Sequence, residues 1–488
     1  MTISSIHRDT TVAVGRRTKI VATIGPASSS LDQLVALVEA GMDVARLGFA
    51  HGSPEAHLAT VERVRQAGDL VGRPVAVLVD LPGPKVRTGA FAAPVRLDEG
   101  DRLRLVPGEA PSAHDVVSVD YLGLLDDLRP GDRVTLGDGA VLLEVASVTC
   151  AYAEAVVICG GQIQGRPGVH LPSGRLSLSS PTEADLAMLG LCLRAEVDIV
   201  AVSFVRRGDD VRTVRQAILD TLGPHADVPL LVAKIETPVA VDNLDEIVAA
   251  SDAVMVARGD LGTECPLEDV PHLQKRIVRA CMLAGKPVIT ATQMLESMTH
   301  APTPTRAEAS DVANAVLDGT DAVMLSGETA IGHDPVAAVR TMARIAERAE
   351  READDLHWSR VLDEQAGSGI TAAITHAAWR AARDTNAAAI LCCTWSGTTV
   401  RALARFRPTG HLLGLSPNPR ALRRLCLTWG ATPVALPTLA SSDAMVDAAI
   451  AAARQQGYVV SGDVVVVLAG APHQAESVTD ILRLVHVR

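Results

Sequence analysis

Aromatic side chains are scarce in this 488-residue chain: four Phe, four Trp and three Tyr, or 2%. The core must therefore be built from Ala, Val, Leu and Ile, and the composition disfavours a base-stacking surface of many rings. A basic excess is also missing. Lys and Arg number 45 against 57 Asp and Glu, for a formal charge of −12, which argues against a nucleic-acid binder. The eight cysteines, Cys150, Cys159, Cys192, Cys265, Cys281, Cys392, Cys393 and Cys426, form no CxxC pair. That disfavours metal knuckles and a disulfide framework, and free thiols suit a reducing cytoplasm. No apolar run approaches the roughly 18 residues of a membrane span. The longest, Val464 to Ala471, stops at Pro472 and reads as a buried strand. The polar start, Met1 to Gly15, has no apolar signal region and reads as a short mobile tail. Familiar motifs fail too: Gly285-Lys286 runs into Pro287 instead of completing a P-loop, and HExxH, GxSxG and a dinucleotide fingerprint are absent.

What is present is 48% hydrophobic and 21% charged, ordinary for a folded protein and long enough for about three domains. Short Val/Ile-rich runs alternate with helical patterns. The first run is Lys19 to Ile24, followed by a helix with capping-box spacing at Ser30 and Gln33 and a stop at Gly41. The second is Asp43 to Leu47, followed by Ser53-Pro54 as cap and first helical residue. The third is Pro74 to Val79. Between about 86 and 170 the rhythm breaks into short alternating segments punctuated by Pro107-Gly108, Pro130-Gly131 and Asp138-Gly139, which reads as a small all-β insertion. Alternation resumes with Asp198 to Phe204, Pro229 to Ile235, Ala253 to Ala257, Pro287 to Thr290 and Asp321 to Leu325, with helices such as Asp209 to Leu222 and Arg306 to Leu317 between.

Eight βα units is the number that closes a (β/α)8 TIM barrel; an open doubly wound sheet is the alternative. A charged linker, Glu347 to Asp355, then leads to another α/β series with strands at Ala387 to Cys393, His411 to Leu415, Ala431 to Ala435 and Val464 to Leu468, and a helix at Asp443 to Gln455 capped by Ser442. The division expected is a tail over 1–15, a barrel over 16–85 and 171–346, an inserted β-barrel lid over 86–170, and a C-terminal α/β regulatory domain over 356–488.

In such barrels chemistry gathers where strands give way to the following loops. Those positions hold Arg46, Asp80, Ser203, Lys234 with Glu236, Arg258 with Asp260, Thr292, and Ser326 with Glu328. Glu236 and Asp260 leave adjacent strands, and two hard oxygen ligands with room for water and substrate oxygens suit Mg²⁺. Lys234 lies two residues from Glu236, so both side chains point the same way. A cation beside a metal suits a phosphate-bearing substrate, with Arg46 as a second, forked donor. A structural ion-pair network in the barrel mouth is the competing reading. The Gly259 and Gly262 backbone around Asp260 suits a carboxylate, though GxxG alone more often marks an ordinary turn.

The chain resembles the pyruvate kinase family from Arg16 to about Leu484. The resemblance rests on RTKIVATIGP at 17–26, Lys-Ile-Glu at 234–236, VARGDLG at 256–262, ITATQM at 289–294 and PTRAEASDVANAVLDGTDAVMLSGETA at 304–330. It implies transfer of the phosphoryl group of phosphoenolpyruvate to ADP, giving pyruvate and ATP, in a cytoplasmic glycolytic homotetramer. It implies Glu236 and Asp260 as Mg²⁺ ligands, with Mn²⁺ able to substitute, and Lys234 as the group that stabilises the phosphoryl in flight. Arg46 and Arg87 would hold the same group, and His51 with Arg46 and Arg87 would meet the nucleotide phosphates. Gly259, Asp260 and Thr292 would bind the substrate carboxylate, while Thr292, Ser326 and Glu328 would relay a proton to enolpyruvate. Asp138 matches a lid position near the nucleotide-side metal. The loop Thr394-Trp395-Ser396-Gly397-Thr398-Thr399 matches the family's sugar-phosphate effector loop; an empty N-cap is the alternative, and Thr394, Ser396, Gly397, Thr398 and Thr399 are the candidate contacts for a sugar-phosphate or nucleotide effector. A Mg²⁺-dependent enolate lyase or aldolase, and a non-catalytic phosphometabolite sensor, are the competing functions on the same scaffold.

Four departures stand out. Where the family commonly reads RLNFSHG, this chain has Arg46-Leu47-Gly48-Phe49-Ala50-His51-Gly52, and where it reads DTKGPE, this chain has Asp80-Leu81-Pro82-Gly83-Pro84-Lys85. The family's K⁺ ligands are the Asn, Ser, Asp and Thr of those segments. Gly48, Ala50 and Leu81 offer no side-chain oxygen, so only Asp80 remains. Lys85 replaces a glutamate, as is typical of family members that work without K⁺, and the expectation is that its ammonium supplies the missing charge. In the lid, Pro167-Gly168-Val169-His170-Leu171-Pro172 lacks the family's lysine, for which Arg166 would compensate, and Gly470 to Thr479 lacks the glycine-rich closing turn, which disfavours fructose bisphosphate control.

Overall fold

The computed structural model describes residues 15–49, 53–137, 139–172, 178–353, 369–470 and 479–488. Most of the expected tail, His51 and Asp138 lie outside them. Eight parallel strands form a closed barrel: β1 (Lys19–Thr23), β2 (Val44–Gly48), β3 (Ala76–Leu81), β4 (Ile199–Val202), β5 (Leu230–Ile235), β6 (Ala253–Ala257), β7 (Val288–Ala291) and β8 (Ala322–Leu325). Each strand pairs with its neighbours in sequence order, and β1 closes on β8 with Lys19 opposite Ala322. The open-sheet alternative is therefore wrong. The helix caps follow the sequence signals: Ser30 accepts the Gln33 amide at 3.3 Å, Ser53 accepts that of Ala56, and Gly41 ends its helix at φ +119°.

Strand parity sorts the barrel side chains. Val21, Val44, Ala76, Leu78, Ile199, Ala201, Leu230, Val232, Met255, Ile289, Ala291 and Met324 form one inner core, and the alternate residues pack outward on the helices. At the N-terminal end an aspartate stands just before each even strand. Asp43, Asp198, Asp252 and Asp321 accept the amides of Ile20, Val77, Leu231 and Val288 on the preceding odd strand at 2.8–2.9 Å. Each also pairs with arginine: Arg16 and Arg73, Arg65 and Arg423, Arg215, and Arg407 respectively. Buried carboxylates need such partners.

Eight lid strands lie between Phe91 and His170, in a six-stranded sheet and a two-stranded one around a separate core that includes Leu97, Leu105, Val134 and Leu143. The expected turn glycines 108, 131 and 139 all have positive φ. The four-residue helix Leu124–Asp127 is the one described there.

The C-terminal sheet has five strands: β9 (Ala389–Cys393), β10 (His411–Ser416), β11 (Ala431–Ala435), β12 (Val464–Gly470) and β13 (Thr479–His486), in the order β11-β10-β9-β12-β13. Four match the expectation. The fifth, β13, runs antiparallel on the edge; half-exposed and carrying Asp480 and Arg483, it gives no continuous apolar signal. Two local expectations need correction. Ser441, not Ser442, caps the helix Ser442–Gln455, accepting the Ala444 amide at 3.2 Å. The stretch read as a linker from Glu347 begins as helix, because Pro335–Glu350 continues through it with Ala346 and Ala349 still buried.

The C-terminal domain closes the barrel floor. Cys426 and Leu427, on a 3-10 turn, are buried among the inner-core residues, and Lys19 donates to the Ala431 carbonyl at 2.8 Å. Arg423 and Arg407 reach across to Asp198 and Asp321 at 2.7 and 3.0 Å. All eight cysteines are free, and no described helix is long and apolar enough to cross a membrane.

Candidate active site

The inward parity of six of the eight strands, carried to the C-terminal end, lands on polar groups. Val21 leads to Thr23, Val44 to Arg46, Leu78 to Asp80, Ala201 to Ser203, Val232 to Lys234 and Glu236, and Met324 to Ser326. The apolar inner core thus ends in a buried layer of charge at one rim.

Lys234 is the centre of that layer. Its Nζ lies 2.7 Å from Glu236 Oε1 and donates to Ser203 Oγ at 2.8 Å. Burial alone would push its pKa down, but the carboxylates of Glu236, Asp80 and Asp260 outweigh this and raise it. Glu236 responds the other way. Burial, with help from Asp260, pushes its carboxyl up to about 7 against the pull of Lys234. Its Oε2 accepts the Phe204 amide, while Oε1 is buried without a well-aligned hydrogen bond despite its closeness to Lys234.

Arg46 donates through Nε to Asp80 Oδ2 at 2.6 Å and through Nη1 to Thr23 Oγ1 at 3.0 Å. Burial would raise the Asp80 pKa, but Arg46, then Lys234 and Lys85, hold it below its ordinary value. Lys85 is exposed, yet close enough to act on Asp80. Asp80 Oδ1 is buried without a hydrogen-bond partner.

Thr292 and Gln293 both have positive φ, +64° and +55°, an arrangement costing roughly 1–3 kcal/mol per residue. Arg258 holds it in place. Its guanidinium donates to the carbonyls of Ala291 and Thr292 and reaches both carboxylate oxygens of Asp311 at 2.7–2.8 Å. Asp311 sits on the helix Arg306–Leu317, inside the 304–330 segment. The Gly259 amide donates to Thr292 Oγ1 at 2.8 Å, which joins two of the expected carboxylate-binding groups to each other. Asp260 lies in the short helix Arg258–Glu264 and faces the cleft. Glu328 is buried and accepts the amides of Leu295 and Ser326 at 3.0 and 2.7 Å; burial raises its pKa. Ser326 Oγ is buried and without a hydrogen-bond partner.

Above the rim lies a cleft of about 190 Å³ between barrel and lid, lined by Lys85, Arg87, His170, Phe204, Arg206 and Asp260 among others. Arg87 donates to the Arg166 carbonyl at 3.3 Å and bridges Gly168. Arg166 itself pairs with Asp120 at 3.3 Å. The effector-loop candidates lie apart, in the C-terminal domain. There Thr394 Oγ1 accepts the Gly397 amide at 2.9 Å, Ser396 and Thr398 hydroxyls lie 3.0 Å apart, and Thr399 bonds Thr479 at 2.7 Å. Thr23, the Arg258–Asp311 clamp and the Phe204 amide were not picked out from the sequence. Parity from β1 would have found Thr23; the other two depend on contacts between distant segments.

Among the described residues no group of three or more His, Cys, Asp or Glu gathers to hold a metal. A divalent ion sharing two carboxylates with water and substrate oxygens needs no such group. Glu236 and Asp260 fit that pattern, because burial and the nearby Asp260 charge push the Glu236 carboxyl up even beside Lys234, a penalty that a further cation would relieve.

Comparison with known proteins places these features in context. Residues 15–339 match the family model for the pyruvate kinase barrel domain, and residues 372–485 match that for the pyruvate kinase alpha/beta domain. A pyruvate kinase from Geobacillus stearothermophilus is 44% identical over 97% of this chain and 80% of its own length. One from Mycobacterium intracellulare is 44% identical over 96% of this chain and 98% of its own. The crystal structure of a pyruvate kinase from Cryptosporidium parvum superimposes with a TM-score of 0.90 at 33% identity, covering 97% of this chain and 96% of that one.

Proposed function

Because the chain belongs to the pyruvate kinase family, we propose that it transfers the phosphoryl group of phosphoenolpyruvate to ADP with Mg²⁺ and without a need for K⁺. The observation that carries this is the Lys234 ammonium, fixed at 2.7 Å from Glu236 and 2.8 Å from Ser203 at the rim beneath the lid cleft.

Phosphoryl transfer asks for positioning and charge neutralisation more than covalent chemistry. Lys234 is held cationic by three carboxylates and meets the developing charge on the transferred group. Arg46, anchored by Asp80 and Thr23, presents its planar donors to the same group. Arg87, which lines the cleft on its lid side, would join them there. Glu236 and Asp260 would hold Mg²⁺, which would supply positive charge to offset the negative charge of the phosphoryl group. The Asp260 amide would orient the substrate carboxylate, with the Gly259 amide and the Thr292 hydroxyl turning to it from the bonds they make to Thr292 Oγ1 and the Ala291 carbonyl. Thr292, Ser326 and Glu328 carry the proton that enolpyruvate must gain; burial raises the pKa of Glu328, against the pull of the Leu295 and Ser326 amides. The lid excludes water, which would otherwise take the phosphoryl group.

Lys85 takes the place of K⁺ in this reading. Gly48 and Leu81 present no side-chain oxygen, Asp80 is engaged by Arg46, and Lys85 already acts on Asp80. Cytoplasmic tetramers and a phosphate-bearing effector at Thr394 to Thr399 belong to the same proposal. The test is pyruvate formation from phosphoenolpyruvate with and without ADP and Mg²⁺. ADP-dependent pyruvate is expected, with Lys234→Met lowering turnover by about a thousandfold while substrate binding changes little. ADP-independent cleavage of another acid would select a lyase, and binding without turnover a sensor.

A further inference from the structure

The strand-end hydroxyl of Ser203 has no part in the chemistry just described, yet it touches the group at its centre. Ser203 is 2% exposed, follows β4, and accepts a hydrogen bond from Lys234 Nζ at 2.8 Å. The next residue, Phe204, adopts φ +54° and gives its amide to Glu236. A left-handed backbone is uncommon for so bulky a side chain and persists only where the surroundings fix it. One dipeptide therefore holds both members of the Lys234–Glu236 pair, one through a side chain and the other through the backbone.

Both connections between the lid and the barrel rest on that dipeptide. On the outgoing connection, Gly83 lies so close that a Cβ there would stand 2.8 Å from the Phe204 ring and 3.1 Å from Ser203 Cβ. Gly83 has φ +69°, and its amide is fixed by the buried carboxylate of Asp185 at 3.0 Å. On the returning connection, the Ser180 hydroxyl donates to the Ser203 carbonyl at 2.6 Å, and Arg206 donates to the Leu178 carbonyl.

We infer that Ser203 is a positioning residue: it aims the Lys234 ammonium and carries the posture of the two lid connections to it. The inference rests on the phosphoryl-transfer reading above. Ser203 does not contact the reacting atoms in this role. Its oxygen fixes one of the three N–H directions of Lys234, leaving the others for Glu236 and the transferred group. A lid held away from the rim would pull on Ser180 and Gly83 and so disturb that direction.

Steady-state kinetics of the full-length protein with phosphoenolpyruvate, ADP and saturating Mg²⁺ test this, with Lys234→Met as the reference. Ser203→Ala is expected to lower kcat about ten- to thirtyfold with KM for phosphoenolpyruvate within about twofold, as for loss of an interaction needed in the transition state. Ser203→Thr keeps the acceptor and is expected to stay within about threefold of wild type. Ser180→Ala is expected to reduce kcat by itself, and the double variant to fall no more than about twofold below Ser203→Ala, because the two act through one contact chain. A Ser203→Ala enzyme with wild-type kcat overturns the inference, as do equal losses in the Ala and Thr variants or fully additive losses with Ser180→Ala. An active wild type beside an inactive Lys234→Met protein and an indifferent Ser203→Ala protein removes this inference alone. An inactive wild type removes the phosphoryl-transfer reading and this inference together.

Discussion

Replacing Lys85 with methionine removes one positive charge from the rim while keeping a flexible side chain. Lys85 is exposed, so its field on Asp80 and the transferred phosphoryl is partly screened. At a separation on the order of 6 Å, one charge is worth about 3 kcal/mol at an effective dielectric near 20 and about 0.7 kcal/mol in bulk water. A value between these, about 1–2 kcal/mol, corresponds to a five- to thirtyfold loss in turnover. Lys85→Glu reverses the charge and should roughly square that factor. The assay is pyruvate formation in Tris buffer free of K⁺ and NH₄⁺, then with KCl added, with tetramethylammonium chloride matching the ionic strength. The wild type should turn over without K⁺ and gain less than about twofold from it. The Lys85→Glu protein should be slow and stay slow in KCl, because Gly48 and Leu81 leave no ligand set for the ion to occupy. Strong activation of the wild type by KCl would refute the charge replacement. So would a Lys85→Met protein with unchanged K⁺-free turnover.

Two further predictions concern the barrel's lower end. Leu427→Ala should destabilise the protein by about 2–5 kcal/mol in urea unfolding, because the side chain is fully buried in the inner core and its loss leaves a cavity; a loss under about 0.5 kcal/mol would show that the C-terminal domain does not plug the floor. For Asp43, burial favours the neutral form, but Arg16, Lys19 and Arg73 outweigh it and hold the carboxyl below its ordinary pKa. Its stabilising contribution is therefore complete above the unfolded value near 4 and is lost as pH falls through the lower folded value. Unfolding midpoints of wild type and Asp43→Asn should differ at pH 7 and converge toward pH 3; a difference that grows on acidification would contradict the sign.

Much of this molecule was legible because its local patterns agree with its global fold. Eight apolar runs, capped by Ser30 and Ser53 and stopped by Gly41, announced their strands and helices within two residues or so. The turn glycines marked the all-β insertion. The edge strand β13 escaped because a half-exposed strand with Asp480 and Arg483 carries no run of apolar residues. The cap at Ser441 was misplaced by one residue because two adjacent serines offer the same signal and only backbone geometry chooses between them.

The rim shows the same division. Chain order and parity sufficed to name Arg46, Asp80, Lys234, Glu236 and Ser326, since inward-facing positions recur every second residue and each strand ends at the same face. The sequence also fixed what the chain lacks at Gly48 and Leu81, because chemistry absent from a side chain cannot be restored by folding. Tertiary structure alone decided which charges act on which. The hydrogen bond of Lys234 to Ser203, the clamp of Arg258 on Asp311, and the aspartates that tie odd strands to even ones join residues 21 to 121 positions apart. Those energies depend on distance and on burial, and neither exists until the barrel has closed.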